Sequence, residues 1–393
     1  MPAAAPTQPL VASYCATFLK PEMLHIYRQV TGLRRYKTFV VTRERLGEEA
    51  FPFSDIELLL PRIFPLKRFY LKYLRKMPPL IYRGELPQLT QLFQRRPADL
   101  IHIYFGEIGV HLLPFIRTSN TPCLVSFHGM DIRPRPHVPG YDAGMRELLQ
   151  TAPLVLARSE SLLAGLERLG CPREKLRLNR TGIPLDQFPF RQRAFPSDGA
   201  WHFLQACRLI EKKGLATALR AFAKFHGRYP ASKFEIAGEG PMKPQLEAMI
   251  AELGLANAVT LSGFLSQVEL RALYDRSHAF LHPSEMPPDQ NQEGVPNSML
   301  EAMAAGLPVL ATTHGGIPEA VTHQRSGLLV GERDPDALFH AMRRLAEEPE
   351  LFYTLGRAGA LAVREAFEHS NQIEKLETYY DEARALYQGR NQK

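Results

Sequence analysis

Apolar runs and helix-period stretches alternate along almost the whole chain. PLVASYCA is followed by a helical pattern over residues 23–33 and then by the apolar run KTFVVTR. DLIHIYF (99–105) stands between two helical stretches, the second over 109–117, and PCLVSFHG and PLVLARS continue the rhythm. Strand, helix, strand repetition predicts a parallel sheet covered on both faces. LRLNRTGIPLDQFPFRQRAFPSDG (176–199) is rich in proline, glycine and polar residues and predicts a linker. Beyond it the pattern restarts, with WHFLQACR, SKFEIAGEGP, AVTLSGF and HAFLHPS as strands and helices after each; the chain is helical from Asp334 onward. The fold class expected is α/β, with two doubly wound, Rossmann-like domains over 1–185 and 186–374. A C-terminal helix from about residue 375 to 393 is expected to pack back on the first.

Sheets of this kind bind ligands beyond the carboxyl ends of their strands. In the second half those ends carry Arg208 and Lys213 in RLIEKKG, Gly238-Glu239-Gly240, Gly263-Phe264-Leu265, and the stretch EGVPNSMLE from Glu293 to Glu301. Pro296 suits a helix's first turn, Ser298–Ala305 favours helix, Gly306 supplies the stop, and Pro308 cannot continue it. Glu293 then lies in the loop before the helix and Glu301 about one turn inside it. The helix start is a seat for phosphate, because its free N–H groups carry roughly half a positive charge. Ser298 and Glu301 equally fit a capping box, which needs no ligand. Arg208 and Lys213 would neutralise a diphosphate if aimed together, although each also reads as a solvated surface charge. Gly238 and Gly240 allow close backbone approach, or simply a turn.

The chain has 393 residues, 45% hydrophobic and 23% charged, as in an ordinary soluble protein. It holds no apolar run long enough for a membrane span and no secretory signal pattern. Cys15, Cys123, Cys171 and Cys207 have no ligand spacing, which suggests a reducing cytosol without structural zinc. The net charge of +7 divides into +11 over residues 1–185 and −4 over 186–393. Its densest part, 61–84, holds Arg62, Lys67, Arg68, Lys72, Arg75, Lys76 and Arg83 among Ile63, Phe64, Leu66, Phe69, Tyr70, Tyr73 and Leu74. Either this is an anionic-membrane contact, or it is a core helix with a basic polar face. Nucleic acid is not the expected partner, since no recognised binding module accompanies the cations. The only Asp-x-Asp letters, Asp334-Pro335-Asp336, read as a helix cap, so no metal and no cofactor are expected.

RLIEKKG, AGEGP, LSGFL, HPS and EGVPNSMLEAMAAGLPVLATTHGGIPE stand in one order, and HGMD follows a strand at 128–131. In that combination the chain resembles glycosyltransferase family 4, retaining enzymes of the GT-B fold, and most of all its members in bacterial surface-polysaccharide biosynthesis. The resemblance implies two domains facing a central cleft and a nucleoside-diphosphate sugar, UDP- or GDP-linked, as donor. Arg208 and Lys213 would hold its diphosphate, Glu301 the ribose hydroxyls, Glu293 the sugar, and Gly294, Val295, Pro296, Asn297 and Ser298 the sugar and phosphate. Gly238, Glu239, Phe264 and Leu265 would border the nucleobase, and His128 would contact the transferred sugar. Where the family has a Gly-Gly loop after the first strand, this chain has ATFLKPEMLHIYRQV, so Lys20, Glu22, His25 and Asp131 are the acceptor-side candidates. The acceptor implied is a glycan or lipid-linked oligosaccharide, reached from the cytoplasm at the inner face of the plasma membrane. A soluble acceptor such as a sugar phosphate, or a non-catalytic nucleotide-sugar binder, are the other readings.

Overall fold

The apolar runs form the strands of two all-parallel sheets. The computed structural model describes residues 8–20, 23–60, 63–135, 137–288 and 292–391. The chain divides into one unit of Met1–Gly182 with Ser370–Lys393 and a second of Ile183–His369.

The first unit contains β1 (Leu10–Tyr14), α1 (Leu24–Gly32), β2 (Lys37–Thr42), β3 (Ile56–Leu58), β4 (Leu100–Tyr104), α2 (Gly106–Ile116), β5 (Cys123–Phe127), β6 (Val155–Ala157) and β7 (Leu176–Leu178). They pair in parallel in the order β3-β2-β1-β4-β5-β6-β7. β4 and β5 are buried at every position, as central strands covered on both faces must be. Helix α2 begins at Gly106, three residues before the pattern predicts. A Cβ there would lie 1.9 Å from the Phe127 ring, so glycine lets the helix start directly against β5. The predicted linker also begins too early: Leu176–Leu178 is the edge strand β7, too short for a period of its own to reveal its pairing with β6.

The second unit contains β8 (His202–Ala206), α3 (Leu215–Arg228), β9 (Lys233–Ala237), β10 (Val259–Gly263), α4 (Gln267–Arg276), β11 (Ala279–His282), α5 (Asn297–Ala304), β12 (Val309–Thr312) and β13 (Leu328–Val330). Its strand order is β10-β9-β8-β11-β12-β13, again parallel throughout. Alternate residues feed two cores: Phe203, Phe234, Ile236 and Leu281 enter one, and Leu204, Ala237 and Phe280 the other. Each fully buried Leu or Phe contributes about 1.5–3 kcal/mol.

The final helix, α6 (His369–Asn391), belongs from Ser370 to the first unit. Leu376, Tyr380 and Ala383 pack on Val11, Leu100, Leu124 and Leu156, and Glu377 accepts the N–H groups of Arg34 and Arg35 at 2.7 Å. Each sheet reverses its strand order once, between β1 and β4 and between β8 and β11. Loops leaving the carboxyl ends of such a pair diverge, and the space they leave is where doubly wound sheets bind ligands.

Candidate functional site

In the second unit the reversal point gathers the residues that follow β8 and β11. Cys207 and Arg208 leave β8, and the short turn Glu211–Lys213 leads into α3. Gly238 has φ +142°, and a Cβ on it would lie 1.8 Å from the Cys207 carbonyl; one on Gly240 would lie 2.4 Å from the Leu209 carbonyl. These glycines therefore serve a backbone-to-backbone contact that sets the Arg208 segment. Gly214, at φ +61°, sits where a Cβ would meet the Pro283 carbonyl at 1.7 Å, which pins the lysine turn to the loop after β11. The Glu285 N–H bonds the Lys212 carbonyl at 2.9 Å in the same contact.

Glu293 is the centre of this arrangement. Its Oε2 lies 2.5 Å from Lys213 Nζ and 3.7 Å from Lys212 Nζ. Burial pushes its carboxyl up, but Lys213 and then Lys212 outweigh that and hold it at about 2. Burial draws Lys212 below its usual range, and Arg208 is among the cations that add to this. His282, fully buried at the end of β11, is lowered to about 3, mainly by burial. Arg208 itself is exposed.

The backbone of Glu293 is fixed as firmly as its side chain. Its N–H donates to His314 Nε2 at 3.0 Å, so His314 carries its proton on Nδ1 and donates to Glu332 Oε1 at 2.7 Å. Glu332 also accepts the Met286 N–H at 2.7 Å, which ties both ends of the loop to one carboxylate. The Gly315-Gly316 turn completes the hold: Gly316 N–H bonds the Glu293 carbonyl at 3.2 Å, and a Cβ on Gly315 would lie 2.1 Å from that oxygen.

No capping box forms on α5. Pro296 is the residue before the helix, which starts at Asn297 without a side-chain cap. Ser298 Oγ donates instead to the Ala206 carbonyl at 2.6 Å, seating the helix start against the end of β8. The Glu301 carboxylate is buried, and the Tyr274 hydroxyl lies 3.3 Å from it and 3.1 Å from the Ser298 carbonyl, between which its one proton is shared. Val295 and Pro296 are buried, while Gly294, Asn297 and Ser298 are half-buried. Gly238 N–H bonds the Gly263 carbonyl at 2.7 Å, so the turns carrying Glu239 and Phe264–Leu265 are neighbours, with Glu239 exposed and Phe264 67% exposed.

Thus Lys213, Glu293 and the start of α5 come together, with Arg208 close enough to act on Lys212. Lys212, His282, His314, Glu332 and Tyr274 were not singled out from the sequence. The doubled lysine and the histidine beside the Gly-Gly turn were the available signals; Tyr274 and Glu332 had none.

In the first unit His128 follows β5. Its Nδ1 lies 3.1 Å from His25 Nε2, and burial holds its ring well below the usual imidazole range, with Arg158 adding to the effect. Asp131 is buried, and its carboxylate accepts the N–H groups of Gly106, His128 and Gly129 at 2.8–3.1 Å, so it builds the turn. Lys20 is exposed after β1, and Glu22 lies outside the described residues. The basic segment is no core helix. Pro65–Phe69 and Tyr70–Leu74 bury none of their side chains, and Phe64 and Leu66 are 81% and 86% exposed. Arg62 lies outside the described residues.

Residues 186–361 match the family described as glycosyl transferases group 1, and residues 24–187 match glycosyltransferase family 4. AmsK of Erwinia amylovora, an amylovoran biosynthesis glycosyltransferase, is 30% identical over 79% of this chain and 76% of its own length. WcaL of Escherichia coli (strain K12), provisionally named a colanic acid biosynthesis glycosyltransferase, is 34% identical over 61% of this chain; the match spans 60% of that protein. Among solved structures, Alr3699/HepE of Anabaena in complex with UDP superposes with a TM-score of 0.75 at 18% identity, over 95% of this chain and 99% of that one. Sucrose-phosphate synthase (tll1590) of Thermosynechococcus elongatus gives 0.75 at 19% identity, over 96% and 99%. At such identities the structures speak for the fold, which is GT-B.

Proposed function

The chain belongs to the group 1 and family 4 glycosyltransferases, and from that premise we propose that it moves a sugar from a nucleoside-diphosphate donor to a hydroxyl of a glycan or lipid-linked oligosaccharide. The observation that carries this reading is the cluster of Lys212, Lys213 and Glu293 beside the uncapped start of α5. An ammonium has three N–H groups, so Lys213 can keep Glu293 and still donate to a phosphate. The opening N–H groups of α5 and the exposed Arg208 guanidinium supply the rest of the anion's partners. Glu301, held by Tyr274, suits ribose hydroxyls, and Phe264 offers a face on which a base can stack. The donor base is uridine or guanosine, which the assay below decides.

Departure of the nucleoside diphosphate concentrates charge on its phosphate, and cations fixed in advance there lower the barrier. The acceptor oxygen forms its bond to the anomeric carbon on the side the phosphate leaves, and the phosphate takes the hydroxyl proton. Glu293, already engaged by two lysines, is a sugar ligand in this scheme and not a nucleophile. The configuration is retained, and the fixed cations do the work that a metal does elsewhere. His128, on the acceptor-side unit, contacts the transferred sugar.

The exposed stretch 64–76 supports a lipid-linked acceptor over a soluble one. It offers Phe64, Leu66, Phe69 and Leu74 together with Lys67, Arg68, Lys72, Arg75 and Lys76 to a surface that is both apolar and anionic, such as the cytoplasmic leaflet of a membrane. No helix of the described residues is long and apolar enough to cross a membrane.

UDP-, GDP- and ADP-sugars should be compared for thermal stabilisation and for nucleotide release with EDTA present. One nucleotide raising Tm and being released is the expected result. Failure of all three to bind would remove the proposal, and activity lost with EDTA would remove its metal-independence.

A further inference from the structure

Two polar residues lie in strands that are otherwise an apolar core. His102 in β4 is fully buried, and Ser126 in β5 nearly so. Buried polar groups persist where hydrogen bonds satisfy them, and here the bonds form one line. Tyr380 on α6 lies 2.8 Å from His102 Nδ1, and His102 Nε2 lies 2.9 Å from Ser126 Oγ. Ser126 Oγ lies 3.0 Å from His128 Nε2, and His128 Nδ1 lies 3.1 Å from His25 Nε2 on α1. The line ends at Arg158, whose Nη1 is 3.4 Å from that same His25 nitrogen.

The end residue fixes the direction of every proton. A guanidinium only donates, so His25 Nε2 accepts. The bond from His128 must then come from an Nδ1–H. Burial keeps His128 neutral, so its Nε2 is an acceptor and takes the single hydroxyl proton of Ser126. Having spent that proton, Ser126 can only accept from His102 Nε2–H. His102, which burial pushes down to about 3, is neutral as well, so its Nδ1 receives the Tyr380 hydroxyl. Reversing the bond between His128 and His25 would set a His25 N–H against the guanidinium, so the Nδ1 proton of the neutral His128 is the one fixed from this end. Arg158 is itself anchored, its Nε donating to Thr181 Oγ1 at 2.9 Å.

We infer that Tyr380, His102, Ser126, His25 and Arg158 are positioning residues that hold His128 as a neutral imidazole protonated at Nδ1. The assignment goes beyond the proposed transfer reaction and rests on it only for the reading of His128 as a sugar contact. With both nitrogens engaged, His128 is not the base of the reaction. What it offers a sugar is a neutral ring in one orientation, and the Gly129 turn that Asp131 fixes behind it. The last helix of the chain thereby reaches the acceptor-side residues through hydrogen bonds.

Nitrogen NMR of the full chain, with isotopically labelled histidine, tests this directly. At neutral pH His128 should show the Nδ1–H tautomer and His102 the Nε2–H tautomer. Ser126→Ala should turn the His128 signal into a tautomer mixture, and Ser126→Thr should restore it. Turnover should fall about 10- to 100-fold in Ser126→Ala with the nucleotide Kd unchanged, and recover in Ser126→Thr. Tyr380→Phe should disturb His102 first. A His128 protonated at Nε2 or on both nitrogens, or Ser126→Ala indistinguishable from wild type, overturns the inference. Because the tautomers are read without substrate, that outcome is separate from any failure of sugar transfer.

Discussion

The Lys213 ammonium stands 2.5 Å from the Glu293 carboxylate, so the cation proposed to meet a diphosphate is already oriented by a neighbour. Lys212, at 3.7 Å, adds a second positive charge to the same carboxylate. Two cations to one anion leave the cluster with net positive charge beside a helix start. That excess is what suits it to an anionic ligand.

Lys213→Ala should lower turnover by about 10²–10³ while the protein stays folded, because Lys212 still compensates Glu293. Steady-state kinetics with circular dichroism check this; near-normal turnover would refute the diphosphate role.

Glu293 links the cluster to stability. Its folded value of about 2 lies below the ordinary 4.5, so it stabilises fully above pH 4.5 and loses that contribution as pH falls toward 2. The gap corresponds to about 3 kcal/mol. Urea unfolding should find Glu293→Gln less stable by about that amount at neutral pH. The difference from wild type should shrink near pH 3; a constant difference would show that the lysines do not hold the carboxylate.

His314→Ala removes the acceptor of the Glu293 N–H without touching any proposed ligand contact. Turnover should drop about tenfold or more, with a smaller change in nucleotide affinity. Isothermal titration beside kinetics separates the two, and an equal loss in both would argue against a loop-positioning role.

Gly238→Ala places a methyl 1.8 Å from the Cys207 carbonyl at a φ of +142°. The strain alone should cost at least about 2 kcal/mol, and the displaced Arg208 should weaken nucleotide binding. Urea midpoints and nucleotide titration report on each.

The paired change Leu66→Ser with Phe69→Ser should leave Tm within about a degree, since both side chains are exposed. Sedimentation with vesicles containing anionic lipid should fall clearly, and reversing Lys67 and Arg68 to Glu should abolish it, at about 1 kcal/mol per cation. Unchanged sedimentation would remove the membrane from the reading.

The two doubly wound units were legible because their strands are continuous apolar runs and their helices carry a second period. Lys213, Glu293 and Glu301 stood out as candidates because glycine, proline and acidic residues crowd the turns where such sheets bind ligands, and the structure pairs the first two. β7 escaped notice because three residues flanked by proline and glycine have no period of their own. The role of Gly238 was open to two readings, since a sequence does not say whose backbone comes close.

Local order of residues was enough for the alternation of elements, the position of α5 and the uneven charge, all of which follow from neighbours a few positions apart. Packing alone settled the rest. Ser298 bonds β8 instead of capping its own helix, Asp131 turns inward to three N–H groups, and residues as distant as Tyr380 and His25 share one line of hydrogen bonds. The physical reason is directionality: burial by area can be read from a pattern, but a hydrogen bond needs a particular partner at a particular angle, and here those partners are brought together from different strands and helices.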